Sequence, residues 1–161
     1  MTHLMEAPVG LPLLSSASDA VDRVLIRRHI VTGWWSLLFF ATLGFLLEVF
    51  HGFKIDMYLN LTQETRRLMW TLAHAHGTLL SLVQIAFAFS VSAMRVSKPH
   101  SLRRASRLLL SGGMLIPVGF FAGGVVTHGG DPGVGILLVP VGAICLIVGT
   151  AFAARGFSSS W

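Results

Sequence analysis

Four long apolar runs, separated by short polar segments, dominate the chain. They cover residues 30–50, 70–94, 108–127 and 134–154. Each run has the roughly 20 residues that an α-helix needs to cross about 30 Å of hydrocarbon. None alternates apolar and polar residues with a period of two, as the strands of a membrane barrel do. The pattern therefore predicts an all-α, polytopic membrane protein built as a bundle of four transmembrane helices.

The polar segments between the runs predict where the helices begin and end. Asn60, Thr62 and Gln63 suit a capped start of the second helix. Asp131 and Pro132 suit the N-cap and the first turn of the fourth helix. The expected helices cover residues 30–50, 62–95, 107–127 and 132–154 of a single transmembrane domain at 18–155, between a flexible N-terminal tail at 1–17 and a C-terminal tail at 156–161.

The composition agrees with a membrane protein and excludes a soluble enzyme. Hydrophobic residues make up 53% of the chain and charged residues only 12%, and the mean hydropathy is +0.72. A soluble domain of this size carries about twice that charged fraction. The single cysteine, Cys145, lies in the fourth apolar run without a partner, so the sequence predicts neither a disulfide nor a CxxC metal site.

The distribution of basic residues predicts the orientation in the membrane. The net charge is +5, but its twelve Lys and Arg residues lie between the apolar runs rather than in a nucleic-acid-binding patch. Three precede the first run, five lie between the second and third runs, and Arg155 follows the fourth, whereas only Lys54, Arg66 and Arg67 fall on the other side. Because basic loops stay in the cytoplasm, we expect both termini on the cytoplasmic side of a bacterial inner membrane. The expected partner is lipid rather than nucleic acid.

With this orientation, four of the seven histidines are expected at the outer membrane face. His51 ends the first helix, with Glu48 one turn earlier. The other candidates are His74 and His76 near the start of the second helix and His128, with Asp131, in the outer turn. The remaining histidines are assigned elsewhere: His3 to the tail, His29 to the inner interface and His100 to the basic loop.

Helical spacing indicates which of these side chains face the bundle. Glu48 and His51 are three residues apart, a spacing with which a carboxylate and an imidazole reach one metal ion in helical bundles. His74 shares a stripe of small and polar residues with Thr78 and Ser81, whereas His76 points about 200° away. The predicted metal ligands are Glu48, His51, His74 and His128, and the predicted cofactor ligands are His74, His76, His51 and His128.

The stretch HAHGTLL at residues 74–80 resembles the histidine-bearing helices of small bacterial membrane proteins related to haem-copper oxidase subunit I. The resemblance covers about five residues on one helix of four. It implies that His74 and His76 are ligand candidates and that a haem or metal relay is the expected role. The chain has too few helices for an oxidase, and it lacks a second histidine pair for a haem-copper centre.

Three classes of function remain open at this point. The first is a redox or electron-transfer protein that binds haem b or an ion of Cu, Fe or Zn near the outer face. The second is a membrane-embedded zinc hydrolase with Glu48 as general base. The third is a non-catalytic accessory subunit, or a small proton-coupled carrier, in which a residue such as His74 merely donates a hydrogen bond to a carbonyl across the bundle. Glycines such as Gly135, Gly142 and Gly149 allow close helix packing, either within one chain or in a homo-oligomer or larger complex.

Overall fold

The computed structural model describes residues 11–59, 64–94 and 99–158, with side chains described from residue 23 onward except at 99. Within these ranges the regular structure of the protein is helical, and turns lie at residues 53–55 and 126–133. Its helices are α1 (Leu11–Gly52), α2 (Asp56–Leu59), α3 (Glu64–Ala93), α4 (Pro99–Val125) and α5 (Leu138–Ser158), and a short 3₁₀ turn (Val134–Leu137) precedes α5. The prediction of an all-α fold is confirmed.

Four helical segments are long and apolar enough to cross a membrane. They are Arg23–Gly52, Glu64–Ala93, His100–Val125 and Val134–Ser158. The number and order of these segments match the four predicted helices, because each long apolar run became one continuous helix. A helix satisfies its own backbone hydrogen bonds, which is what a segment surrounded by hydrocarbon requires.

The long helices pack in the order α1, α3, α4, α5, each against the next. Helices α1 and α4 also touch, whereas the backbone of α5, within the described chain, lies close to α4 and the 3₁₀ turn alone. Helices α3 and α4 are therefore the inner pair, and α1 and α5 form the two edges of an open bundle. In the most apolar part of each helix, only 22% of the residues of α1 and 17% of those of α5 are buried, compared with 39% in each inner helix.

Helix α4 begins at Pro99, eight residues before the expected start. In the stretch predicted to be a basic loop, Leu102 and Ala105 are buried at helical spacing, and Leu109 in the predicted helix continues this face. The arginines between them lie on the exposed side. The segment is thus an amphipathic helix whose apolar face joins Leu25, Phe87, Val91 and Ala153 in one core cluster. The predicted start at residue 107 was too late, because the arginines interrupt the apolar run although the apolar residues still share one helical face.

The chain ends are also more helical than predicted. Helix α1 has helical backbone from Leu11, inside the expected tail at 1–17, of which residues 1–10 lie outside the described ranges. Helix α5 continues to Ser158, so part of the expected tail at 156–161 is helical. Phe157 packs against the core cluster, and its ring lies 6.1 Å from that of Phe87. This contact explains why the helix extends beyond its apolar run.

The turn before α5 corrects the prediction that Asp131 caps the following helix. Gly129 and Gly130 have φ of 58° and 94°, the positive values required in a tight two-residue reversal. The backbones of His128 and Asp131 bond to each other in both directions, at 3.1 and 2.9 Å. Gly133, without any side-chain cap, precedes the 3₁₀ turn. The expected helix at 132–154 therefore begins as a 3₁₀ turn at Val134 and becomes α-helical at Leu138.

Glycines bring α4 and α5 into close contact within one chain. A Cβ at Gly142 would lie 3.0 Å from the backbone nitrogen of Ile116, and one at Gly112 would lie 2.8 Å from the carbonyl oxygen of Gly142. A Cβ at Gly149 would likewise lie 3.0 Å from Cβ of Leu108. Close backbone approach is how helices associate where the hydrophobic effect does not drive them together. These glycines therefore serve intramolecular packing, one of the two roles that the sequence left open.

Candidate functional site

A buried polar network joins three helices near the end that contains the core cluster. His29 of α1 is completely buried. Its Nδ1 lies 2.7 Å from Oε1 of Gln84 on α3, and its Nε2 lies 2.8 Å from Oγ of Ser106 on α4. The ring of Phe87 covers the imidazole at a centroid distance of 4.6 Å. The sequence assigned His29 to the inner interface but predicted neither its burial nor its two partners.

The bonds of Gln84 determine which atoms donate in this network. Its amide nitrogen Nε2 donates to the carbonyl oxygen of Leu109 at 2.8 Å, so Oε1 is the atom that faces His29. Because Oε1 only accepts, Nδ1 of His29 carries the hydrogen and donates to it. In the neutral ring Nε2 is then an acceptor, and the hydroxyl of Ser106 donates to it. Each of the three side chains thus has at least one hydrogen-bond partner, which the low dielectric of the site favours.

The polar region continues from the network toward the middle of α3. A small cavity of about 10 Å³ lies between α1, α3 and α4, and it is lined in part by Thr32, Ser36, Ser81 and Gln84. Its size is at the lower limit for one water molecule. The predicted stripe on α3 is thus directed into the protein, since Ser81 and Gln84 are both buried. The cavity is too small for a substrate.

His74 lies in the contact between α1 and α3. Its Nδ1 donates to the carbonyl oxygen of Phe40 at 2.8 Å. The ring lies directly over Gly44, where an added Cβ would be 2.3 Å from Cε1 of the imidazole. Phe40 in turn packs over Gly77, where an added Cβ would be 2.2 Å from the phenyl ring. Each helix thus contributes one ring and one glycine to a reciprocal contact, which fixes the orientation of the imidazole.

His76 lies on the other side of α3, facing α4. Its Nδ1 donates to the carbonyl oxygen of Leu72 in the preceding turn at 2.9 Å. Its ring packs against Phe120, with 4.9 Å between the ring centroids. The two histidines therefore face opposite neighbours, as the helical wheel predicted for residues two apart. They cannot serve as the two axial ligands of a single haem.

The other predicted ligands lie at exposed positions around the same end of the bundle. Glu48, His51 and His128 are exposed, and His51 lines an open cleft beside α2. Among residues 11–59, 64–94 and 99–158, no group of three or more His, Cys, Asp and Glu side chains is placed to hold a metal ion. The four-ligand site of Glu48, His51, His74 and His128 therefore stays a prediction, without a cluster in the described residues to support it.

A signal for the buried network was present in the sequence. His29, Gly33, Ser36, Phe40 and Gly44 recur at intervals of three or four residues, which places them on one face of α1. This is the same kind of small and polar stripe that identified the inward face of α3. The stripe on α1 was missed because His29 lies next to Arg27 and Arg28, which are typical of an interface.

The chain was compared with protein-family models, with curated proteins and with solved structures, and none of them matches it.

Proposed function

We propose that the protein is a four-pass inner-membrane protein that binds a haem or a transition metal ion through His74 or His76, in a redox or electron-transfer role. Both termini and the basic start of α4 lie in the cytoplasm in this proposal. The orientation follows from the excess of Lys and Arg at that end of the bundle. The lipid bilayer surrounds the exposed apolar faces of α1 and α5.

One observation carries the proposal: each histidine already uses Nδ1 to donate to a backbone carbonyl, His74 to Phe40 and His76 to Leu72. This bond fixes the tautomer, so Nε2 carries no hydrogen and keeps its lone pair. The bond of His74 is also the one expected of the non-catalytic class, so the free Nε2 is what the test has to examine. Histidines that ligate metals almost always donate their other ring nitrogen to a carbonyl, a carboxylate or water in this way. A bound haem or metal ion would supply one-electron chemistry at this position.

Because the two imidazoles face different helices, they do not share one haem or metal ion. Either each binds a separate haem or ion, or only one of them is a ligand. The chain supplies one imidazole per position, and further ligands would come from a second copy or from another subunit. A homo-oligomer or a larger membrane complex therefore forms part of the proposal. The zinc hydrolase gains no support, because Glu48 is exposed and belongs to no ligand group in the described chain.

The test is an absorption spectrum together with elemental analysis of the full chain purified in mild detergent. Wild type should carry near-stoichiometric iron, copper or zinc, or show a haem Soret band. His74→Asn and His76→Asn are the informative variants, because the Asn amide can replace Nδ1 as donor to the carbonyl but offers no ligand in place of Nε2. Loss of the metal from a variant that keeps its thermal stability would separate coordination from packing. His100→Ala, at an exposed histidine, is the matched control.

A wild-type protein that stays colourless and metal-free after loading with haem and with each metal would overturn the proposal. The same result would favour the other class, a non-catalytic accessory subunit or a small proton-coupled carrier. The completely buried His29 and its network support that class, since ionisable residues inside membranes often lie on proton pathways.

A further inference from the structure

An open cleft lies at the end of the bundle opposite the core cluster, between the end of α1, helix α2 and the first turns of α3. Its volume is about 610 Å³, within the usual range of small-ligand sites. The polar residues that line it include His51, Tyr58, Glu64, Arg67 and Thr71. His51, one of the predicted metal ligands, lies in this cleft, but His74, His76 and the network around His29 do not, so the cleft is separate from those histidines.

Several polar groups in the cleft lack a partner in the described chain. Tyr58 is only 4% exposed, and its ring lies 6.1 Å from that of Phe50, but its hydroxyl makes no hydrogen bond to a described residue. The side chains of His51 and Thr71 likewise make none to residues 11–59, 64–94 or 99–158. A buried hydroxyl that no described residue accepts from or donates to gains by bonding to a ligand. Among the described residues, these polar groups therefore remain available to bond to a ligand.

The charged side chains in the cleft indicate a ligand that carries both a negative and a positive charge. Arg67 and Glu64 face each other at 4.0 Å, longer than a hydrogen bond, with 36% and 68% of their side chains exposed. Such a loose pair keeps both charges available to a ligand. One guanidinium with neighbouring hydroxyls suits an anion that accepts from several directions, as a phosphate does. The carboxylate of Glu64 would repel a plain anion but attract an ammonium group.

We propose that this cleft binds a zwitterionic phosphoethanolamine group, with the phosphate at Arg67, Tyr58 and Thr71 and the ammonium at Glu64. The chemistry is shared by a phosphatidylethanolamine headgroup and by free O-phosphoethanolamine. The cleft lies where the apolar part of α3 begins, a position at which a lipid headgroup would reach it. The site is independent of metal or haem binding.

The experiment uses the full chain in nanodiscs with ¹³C at Cζ of tyrosine. Tyr58 is the single tyrosine, so one resonance reports on the cleft. One sample contains only phosphatidylglycerol and is titrated with soluble O-phosphoethanolamine, and the other contains phosphatidylethanolamine without soluble ligand. We expect the resonance to shift in at least one sample, and the sample that shifts identifies the source. No shift in either sample would overturn the proposal.

Variants test the two charges separately, with affinities measured by calorimetry using whichever source shifts the resonance. Arg67→Gln and Glu64→Gln should each weaken binding at least about tenfold, because each removes a charge-assisted contact. Phosphocholine has no ammonium N–H to donate to Glu64, so it should bind more weakly than phosphoethanolamine, both as a lipid headgroup and as the free molecule. Lys54→Gln, at an exposed cation outside the cleft lining, is the control and should bind as wild type does. Binding that is unchanged in Glu64→Gln, or equally weakened in Lys54→Gln, would contradict the assignment.

Discussion

Nδ1 of His29 donates to Oε1 of Gln84 over 2.7 Å, although 55 residues separate them in the chain. The bond joins an edge helix to an inner helix at a position where both residues are fully enclosed. Inside a membrane, lipid competes poorly for polar groups, so a misaligned pair would leave a donor and an acceptor unsatisfied. The network therefore sets the register between α1 and α3, and Ser106 extends it to α4.

Replacement of His29 by Ala should lower the free energy of unfolding by about 1–2 kcal/mol, since interhelical hydrogen bonds in membrane proteins are individually modest and the partners stay buried. The measurement is reversible unfolding by denaturant in detergent. His29→Asn should retain part of the stability, because its amide can still donate to Gln84. His100→Ala is the control. Equal stability of His29→Ala and wild type would show that the network is not needed for the fold.

Replacement of Gly44 by Ala should displace the ring of His74 and break its bond to Phe40. The added Cβ would lie 2.3 Å from Cε1 of the imidazole, so the ring has to move. We expect a loss of about 1–3 kcal/mol in stability, the usual result of overpacking. Gly52→Ala is the matched control on the same helix, since nothing lies within 4 Å of its Cβ position. A stable Gly44→Ala protein with an unchanged His74 NMR environment would contradict this packing.

Replacement of Arg66 by Gln should loosen the C-terminal end of α4. The guanidinium donates from Nε to the carbonyl oxygen of Gly124 at 3.1 Å and lies over the ring of Trp70. A cation at the C-terminal end of a helix stabilises its free carbonyls by about 0.3–1 kcal/mol. Hydrogen exchange of the last turn of α4 should accelerate in Arg66→Gln. Arg67→Gln should leave that exchange rate unchanged, because Arg67 pairs with Glu64 and makes no hydrogen bond to the described residues of α4.

Replacement of Gly142 by Ala should push α5 away from α4. The new methyl group would meet Leu115 and Ile116 at 2.8 to 3.0 Å, and the backbone nitrogen of Ile116 cannot move aside cheaply. We expect a loss of about 1–3 kcal/mol in thermal or denaturant unfolding. Gly123→Ala makes contact only from 3.4 Å outward, so it should be nearly neutral. A destabilised Gly123→Ala beside a stable Gly142→Ala would reverse this assignment of the interface.

The predicted orientation can be tested with reporter fusions. Green fluorescent protein fused to the C-terminus should fluoresce, and alkaline phosphatase fused there should be inactive, because that end is expected in the cytoplasm. Alkaline phosphatase inserted after Gly129, in the outer turn, should be active. Replacement of Arg103, Arg104 and Arg107 by Gln should weaken this preference. The opposite reporter pattern in the unmodified protein would reverse the topology.

The sequence predicted the α3 side of the buried region better than the α1 side. Ser81 and Gln84 lie on a stripe that helical spacing places inward, and both are buried. His29 is on an equally clear stripe, but its neighbours Arg27 and Arg28 placed it at the interface. Periodicity assigns a residue to a face of a helix, but it does not give the depth at which a partner from another helix reaches that residue.

The amino-acid sequence by itself determined four helices of membrane-spanning length. Each apolar run is long enough to cross hydrocarbon, and a helix satisfies every backbone hydrogen bond within the segment. The sequence also determined that His74 and His76 face different neighbours. Only the tertiary structure decided that His29 meets Gln84 and Ser106, that His74 donates to Phe40 over Gly44, and that the glycines of α5 pack on α4. Each of these depends on which helices become neighbours and in what register. Contacts between distant residues set that choice, and no local pattern encodes it.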